Sequence, residues 1–383
     1  MKKIVSCTQN KKMKAIIENY SFFKEQKIQN RLINFSQMME ILDAYSYTKI
    51  GQSVDGKSIN ALRFGTGEKK VAIWTQMHGN ESTGTNAVFD LLKVLTNDNN
   101  FSRKILQKLS LLIIPMVNPD GTELYQRRNA MHIDINRDFV KRQAPETQIL
   151  QQAIRDFQPE VCFNLHDQRT IFNVSGTSNP ATISFLAPSE DVERTITQTR
   201  KETMGIIAKM NTILQEYAPQ HVGRYTDEFY PSAFGDNLAK EGYRTILIEG
   251  GGSKNDLERQ NTRFYNWVAL LAGLAFIADS TAYEEGFERY FDIPENDQKM
   301  LDIIYRNVMI EKNGVQSVVD LGIMLNESLS KTERKLIKNP KIEQIGDLDY
   351  YFGYEEIEAQ GKKFQKEDRN YPILNESADF ELV

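Results

Sequence analysis

Between residues 71 and 278 the chain alternates between short apolar runs and longer segments whose apolar residues recur with helical spacing. A short apolar run bounded by polar residues is typical of a buried strand, whereas apolar residues three and four positions apart indicate the inner face of a helix. Strands that alternate with helices are typical of a mostly parallel sheet covered on both faces. The pattern therefore predicts an α/β fold, with three α/β/α layers around a mixed, mostly parallel sheet.

The spacing also predicts the individual elements. The predicted core strands are Val71–Trp74, Ser110–Met116, Glu160–Leu165 and Arg244–Ile248. The predicted helices are Phe35–Leu42, Thr85–Leu95, Phe101–Lys108, Glu146–Phe157, Val192–Tyr217 and Leu257–Ala278. Ahead of the first core strand, Thr48–Ser53 and Ser58–Phe64 flank an Asp55-Gly56 turn, which predicts a hairpin at the edge of the sheet.

The character of the sequence changes after about Ala278. Short strand-like segments broken by Gly and Asn follow, at Tyr305–Ile310, Val315–Met324 and Lys341–Ile345. The chain has 383 residues, and single hydrophobic cores stop growing near ~250–300 residues. We therefore expect two domains, a large one over residues 1–280 and a small β-rich C-terminal one over residues 281–383.

Composition excludes several classes of protein. The 47 basic and 52 acidic residues are spread evenly and give a net charge of -5, which argues against nucleic acid as a partner. No apolar stretch approaches the ~20 residues of a membrane helix. The two cysteines indicate no disulfide framework. The N-terminus turns polar too soon for a signal peptide, which predicts a cytoplasmic protein, although Ile4–Cys7 faintly resembles a lipoprotein cleavage box and leaves export open.

Two of the four histidines follow predicted core strands. His78 comes after the first core strand with Glu81 three residues later, and His166 comes after the third. Sites in such sheets lie beyond the carboxyl ends of the strands, where these side chains would meet. Two histidines and one glutamate leave a fourth position for water in a catalytic zinc site, which suits the hydrolysis of amides and esters. The His-x-x-Glu pair alone favours a plain surface loop whose glutamate stabilises a helix N-terminus.

Several further segments, in one order along the chain, give the sequence its strongest signal. Over roughly residues 45–280 it resembles the zinc metallocarboxypeptidases, the carboxypeptidase A-like family. The segments that carry the resemblance are Ile50–Lys57, His78–Glu81, Asn118–Gly121, Arg127–Asn129, Asp134–Phe139, Asn164–His166 and Ile246–Glu249.

The resemblance implies a zinc site and a general base. His78, Glu81 and His166 would bind one zinc ion per chain, and Glu249 would activate a water and then protonate the leaving amine. The residues agree, because Glu249 ends an apolar strand at the same sheet edge, and partial burial there would raise its pKa toward that of a general base. A salt bridge at the surface is the structural alternative for Glu249.

The resemblance also implies substrate contacts. Arg127 would stabilise the oxyanion of the reaction, with Arg128 as the alternative. Asn136 and Arg137 would bind a substrate carboxylate, for which a planar guanidinium is well suited, and their alternative role is to shape a turn.

A tyrosine that covers the substrate would be Tyr230 or Tyr225, and we favour Tyr230. The motif Asn118–Gly121 needs no ligand to explain it, because proline and glycine suit a turn, and we interpret it as scaffold.

Two departures from the family concern the substrate. Asp167 follows His166, where it could orient a metal ligand or select a cationic substrate group. Gly250–Gly252 follow Glu249, which predicts a more open wall at that side of the site.

Three functions fit these residues. The leading hypothesis is a zinc metallopeptidase, a carboxypeptidase-like hydrolase that cleaves the C-terminal amide bond of a peptide or small amide with a free carboxylate. The first alternative is a zinc-dependent deacylase or amidase of N-acyl amino acids or cell-wall peptides. The second is an inactive zinc-site binding module that recruits partners through the C-terminal domain.

Overall fold

The protein is described by a computed structural model over residues 11–330, 332–333 and 335–383, so the Ile4–Cys7 segment lies outside the described residues. Within these ranges, eight strands form the main sheet. They are β1 (Tyr47–Gln52), β2 (Ser58–Phe64), β3 (Lys69–Thr75), β4 (Leu109–Ile114), β5 (Val161–Asp167), β6 (Ile183–Leu186), β7 (Val222–Arg224) and β8 (Arg244–Gly250).

The strand order is β1-β2-β4-β3-β5-β8-β6-β7. The four central strands β4, β3, β5 and β8 are parallel to one another, and β6 is parallel to β7. The β1–β2 hairpin pairs antiparallel with β4 at one edge, and β6 pairs antiparallel with β8 near the other. The mixed, mostly parallel sheet is therefore confirmed, as is the hairpin at its edge.

Helices cover both faces of this sheet. They are α1 (Phe35–Leu42), α2 (Thr83–Thr96), α3 (Asn100–Lys108), α4 (Pro145–Phe157), α5 (Gln198–Leu214), α6 (Phe234–Lys240) and α7 (Gln260–Asp279). Shorter helical turns lie at Tyr20–Phe23, Pro119–Glu123, Ile135–Arg137 and Phe287–Asp292. No helix in the described ranges is long and apolar enough to cross a membrane.

The alternation of side chains along each strand divides the core into two layers. On β3, Val71 and Ile73 pack in the layer that contains α2, α3, α5 and α7, whereas Ala72 and Trp74 pack in the layer that contains α4 and α6. Successive residues of a strand point to opposite faces, so one apolar run fills both layers. This is why the core strands are continuously apolar.

Some elements differ from the sequence prediction. The helix predicted over Val192–Tyr217 spans Gln198–Leu214, because the Thr197 side chain accepts a hydrogen bond from the Arg200 amide at 3.1 Å and caps its N-terminus. Strands β6 and β7 and helix α6 were not predicted, because elements of three to seven residues are too short to establish a period.

A second sheet follows α7. Its strands are β9 (Met300–Lys312), β10 (Val315–Leu329), β11 (Leu336–Gly346) and β12 (Phe352–Glu358), in the order β11-β10-β9-β12. Strands β9, β10 and β11 pair antiparallel, and β12 runs parallel to β9. Two-residue strands lie at Asn173–Val174, Asn296–Asp297, Phe364–Gln365 and Glu381–Leu382. The predicted C-terminal β domain is confirmed, although β12 was missed.

Candidate active site

Three side chains converge at the carboxyl edge of the main sheet, where two neighbouring strands end. His78 and Glu81 lie in the loop between β3 and α2, and His166 lies near the end of β5. Their ligand atoms lie within 4.8 Å of one another. His78 and His166 are each 2% exposed and Glu81 is 8% exposed. The parallel pairing of β3 with β5 brings these side chains together, as the sequence predicted.

The donor set of this cluster fits a zinc ion. His78 Nδ1 and His166 Nδ1 lie 3.1 Å apart, and they face the two Glu81 oxygens at 2.7 and 2.8 Å. Only one proton fits between two ring nitrogens, whereas both lone pairs could point at a cation. Two histidine nitrogens and one glutamate oxygen form a ligand set typical of catalytic zinc.

The loop that carries His78 is held by the Asn118–Gly121 turn. The Asn118 side-chain NH₂ group donates to the Met77 carbonyl at 3.1 Å, and the Asn118 side-chain oxygen accepts from the Gly121 backbone amide at 2.9 Å. A Cβ on Gly79 would lie 2.0 Å from the Gly121 carbonyl carbon, so only glycine fits there. These contacts support the interpretation of the motif as scaffold.

The Asp134 carboxylate contacts the ring nitrogen of His78 that does not face Glu81. His78 Nε2 lies 3.2 Å from Asp134 Oδ1, and Arg127 Nε donates to Asp134 Oδ2 at 2.8 Å. Burial opposes ionisation, but the hydrogen bonds from His78 and Arg127 hold the pKa of Asp134 below its ordinary value. A carboxylate on the far ring nitrogen fixes the orientation of a metal-binding histidine. The sequence did not predict this role for Asp134, since an Asp before Ile-Asn-Arg carries no local sign of a distant histidine.

The structure distinguishes the two adjacent arginines. Arg127 Nη1 lies 3.2 Å from His78 Nδ1 and 3.4 Å from Glu81 Oε1, and its guanidinium lines the cavity above the cluster. Arg128 points away and donates to the His132 carbonyl at 2.9 Å. Positive charge is therefore placed beside the cluster by Arg127.

Glu249 lies on β8, directly opposite His166 of β5 in the parallel register. It is partly buried and lines the same cavity as the histidine cluster. Burial raises the pKa of Glu249 well above its ordinary value, and the negative charges of Glu81 and Asp167 add to this effect. A carboxylate with these properties at the cluster could take up and release a proton.

Asn136 and Arg137 lie in the short helical turn after Asp134 and also line the cavity. The Asn136 side-chain oxygen accepts from the Phe234 amide at 3.2 Å, which ties this turn to α6. The Arg137 guanidinium lies 5.1 Å from the centre of the Tyr230 ring, within the range of a cation–π contact. The three predicted substrate contacts are thus neighbours.

Both candidate tyrosines line the cavity, in different settings. Tyr230 is 42% exposed, and its amide donates to Asp236 Oδ1 at 3.0 Å. The Tyr225 ring packs against the Phe172 ring, with ring centres 5.4 Å apart and the planes tilted by 56°. Burial and the charge of Glu249 raise the pKa of Tyr225. Tyr225 therefore lies near Glu249, and Tyr230 lies near Arg137.

The Asp167 side chain does not face a histidine ring. Its Oδ2 atom accepts from the Thr83 hydroxyl at 2.7 Å and from the Thr83 amide at 3.2 Å, at the start of α2. The Asp167 backbone amide donates to Glu81 Oε2 at 3.1 Å. Asp167 thus holds Glu81 and the helix that follows it.

The prediction of a more open wall at Gly250–Gly252 is wrong. A Cβ on Gly252 would lie 2.2 Å from the hydroxyl oxygen of Tyr354, which comes from β12 of the second sheet. The small residue leaves room for an aromatic side chain from elsewhere in the chain, and no single stretch of sequence reveals that contact.

One cavity of about 1440 Å³ lies at this edge of the sheet. Its lining includes His78, Glu81, Arg127, Arg137 and Glu249. Residues of the second sheet also line it, which sequence reasoning did not anticipate. The arrangement can bind a metal, hold an anion at Arg137 and transfer a proton at Glu249.

Comparison with known proteins points to one family. The sequence model of the zinc carboxypeptidase family matches residues 37–236, just over half of the chain. Carboxypeptidase 2 of Trichophyton rubrum is 32% identical over 101 residues, which cover 26% of this chain and 19% of that protein. Carboxypeptidase E of Caenorhabditis elegans is 34% identical over 114 residues, 24% of this chain and 24% of that protein. The match thus spans about a quarter or less of the relatives' own length.

Solved structures resemble the fold. A metallo-carboxypeptidase from Burkholderia cenocepacia has a TM-score of 0.52 and 18% identity, covering 65% of this chain and 70% of that one. Carboxypeptidase A from Helicoverpa armigera has a TM-score of 0.52 and 14% identity, covering 65% and 74%. At this identity the likeness concerns the fold alone.

Proposed function

Because the chain belongs to the zinc carboxypeptidase family, we propose that it hydrolyses the C-terminal amide bond of a peptide, with one zinc ion held by His78, Glu81 and His166. The observation that carries the proposal is the convergence of these three ligand atoms within 4.8 Å, beside a cavity lined by His78, Glu81, Glu249 and Arg137. When bound, zinc supplies a Lewis acid that polarises the scissile carbonyl and acidifies water.

The residues of the chain would then divide the work of hydrolysis. Arg137 and Asn136 bind the terminal carboxylate of the peptide and so place the last amide bond at the cluster. Glu249 takes a proton from the attacking water as the new C–O bond forms, and delivers it to the amine nitrogen as the C–N bond breaks. Arg127 stabilises the negative charge that develops on the carbonyl oxygen. Tyr230 lies over the bound carboxylate beside Arg137.

The organisation of the chain fits this proposal. We propose a catalytic domain over residues 1–280 and a β-rich domain over residues 281–383, because α7 ends at Asp279 and the second sheet begins at Met300.

Metal analysis and a substrate panel test the proposed function. We expect one zinc per purified chain, and hydrolysis of N-acylated dipeptides at the C-terminal bond. Glu249→Gln should keep the zinc and lose about 10²–10⁴-fold in kcat. Glu241→Gln is the matched control, because this glutamate lies at the end of α6 and its side chain forms an exposed ion pair with Arg155 at 3.6 Å.

Two outcomes would contradict the proposal. One is a protein that binds no zinc and gains no peptidase activity when zinc is added. The other is turnover of N-acyl amino acids in the absence of any peptide hydrolysis, which would favour a deacylase.

A further inference from the structure

The cavity extends beyond the part that the proposed chemistry uses. At about 1440 Å³ it exceeds the ~300–1,000 Å³ of ordinary small-molecule pockets. The carboxylate-binding turn belongs to the layer of α4 and α6, because Asn136 is bonded to Phe234 of that layer. On the other side the cavity reaches Arg31 and Arg259, beside the helices of the opposite layer. The metal cluster lies at the sheet edge between these two halves.

The N-terminal segment brings Arg31 to the far half of the cavity. The Arg31 carbonyl accepts from the Ser82 hydroxyl at 2.7 Å and from the Asn86 side chain at 3.0 Å, at the start of α2. Three residues before Arg31, the Ile28 carbonyl accepts from Arg263 at 2.9 Å. Arg263 also forms a buried ion pair with Asp90, so this pair holds the same N-terminal segment. Arg31 is therefore fixed where the cavity meets the layer of α2 and α7.

The second sheet closes one wall of this far half. The Arg31 guanidinium pairs with Glu327 of β10, and the Tyr125 hydroxyl donates to the same carboxylate at 2.9 Å. Tyr354 of β12 donates to the Thr170 carbonyl at 3.1 Å, just beyond the end of β5. Cavity-lining residues of the second sheet include Asp302, Ile303, Leu325, Asn326, Lys338 and Glu355.

We propose that this far half binds the substrate residues on the amino side of the scissile bond, and that the second sheet is one wall of that subsite. The enzyme would then act on oligopeptides longer than a dipeptide. The inference rests on the proposed function, since the terminal carboxylate must be held at Arg137 for the rest of the peptide to cross the cluster. A substrate held at one end of the cavity, with its last bond at the sheet edge, has only the far half in which to place its remaining residues.

The chemistry of the wall fits a peptide. Lys338 stands opposite Glu327 in the β10–β11 register, so opposite charges are balanced across the two strands. Ile303 and Leu325 supply apolar surface beside them. The wall thus combines carboxylates, an ammonium group and apolar side chains, which match the amides, charged groups and side chains of a peptide. A polyanion would require an excess of basic groups.

Filling the far half tests the inference on the zinc-loaded, full-length chain. The substrates are an N-acylated dipeptide and a hexapeptide with the same last two residues. We expect Asn326→Trp to lower the hexapeptide-to-dipeptide ratio of kcat/KM about tenfold, and Lys338→Trp to do the same if the first variant folds poorly. Gln316→Trp is the control, because it lies on the same strand ten residues away, about 33 Å along β10.

Binding gives a second readout. In a Glu249→Gln background, calorimetry should show hexapeptide binding weakened about tenfold by Asn326→Trp and unchanged by Gln316→Trp. A ratio and an affinity within twofold of the parent protein in both cavity variants would overturn the inference while the proposed function stands. A parent protein that hydrolyses neither substrate would overturn the proposed function, and the inference with it.

Discussion

Replacing Asp134 by asparagine should weaken zinc binding without unfolding the protein. Asp134 Oδ1 faces His78 Nε2 at 3.2 Å and the Asn136 amide at 3.0 Å, while Oδ2 accepts from Arg127 Nε at 2.8 Å. An asparagine keeps one oxygen, so it can serve either the histidine side or the arginine side. The other side would then face an amide NH₂ group, and a donor would meet a donor.

The magnitude follows from that lost contact. A hydrogen bond to a charged group contributes about 1.5–3 kcal/mol, which corresponds to about a 10–100-fold change in an equilibrium constant. The same range is typical when the carboxylate behind a metal-binding histidine is removed. We therefore expect the zinc dissociation constant of Asp134→Asn to rise about 10–100-fold.

Competition with a chromophoric chelator measures this constant, and circular dichroism checks that the variant is folded. Asp138→Asn is the matched control, because this buried carboxylate accepts from the Gln143 and Ala144 amides at 3.0 and 2.8 Å and has no contact with His78. It should lose stability and keep its zinc affinity. A zinc affinity of Asp134→Asn within twofold of the parent protein would refute the reasoning.

Three further changes test other parts of the structure. Asp90→Asn removes the negative charge that pairs with the buried Arg263, and it should cost about 3–5 kcal/mol in the free energy of unfolding by urea. Asp98→Asn, at an exposed ion pair, should cost less than about 1 kcal/mol. Burial raises the pKa of Asp236 to about 6, so its neutral form is favoured in the fold. The stability it contributes is full below about pH 4 and is lost as the pH rises through about 6, by up to about 3 kcal/mol. Asp236→Asn should flatten that slope in urea titrations at several pH values, and an unchanged slope would assign it to another group. Arg137→Lys should raise KM for peptides about tenfold with little change in kcat, because an ammonium cannot make two parallel bonds to a carboxylate; a change in kcat alone would exclude carboxylate binding there.

Much of the main sheet could be predicted because its elements are long and periodic. The apolar runs at Val71–Trp74 and Arg244–Ile248 lie inside the observed β3 and β8, and Phe35–Leu42 matches α1 at both ends. The short strands β6 and β7 were missed, because their pairing with β8 and with each other stabilises them rather than a local pattern.

The candidate site divides in the same way. His78, Glu81, His166 and Glu249 could be named from the sequence because the ordered segments that contain them resemble those of the family. Their positions at or just beyond the ends of apolar strands agree with this, since parallel strands end at one edge. The hydrogen bond between Asp134 and His78 could not be predicted from the sequence, since the two residues are 56 positions apart.

The sequence by itself determined the layers of the fold, because periodicity is a local property. It also indicated the side chains at the sheet edge, because the ordered segments that contain them resemble a known family. The tertiary structure alone decided the shape of the cavity. Arg31 meets Glu327 across 296 positions, and Tyr354 fills the space beside Gly252 where an open wall was expected. Such contacts depend on how separately formed sheets and helices pack, and packing is set by complementary surfaces that no local pattern of residues encodes.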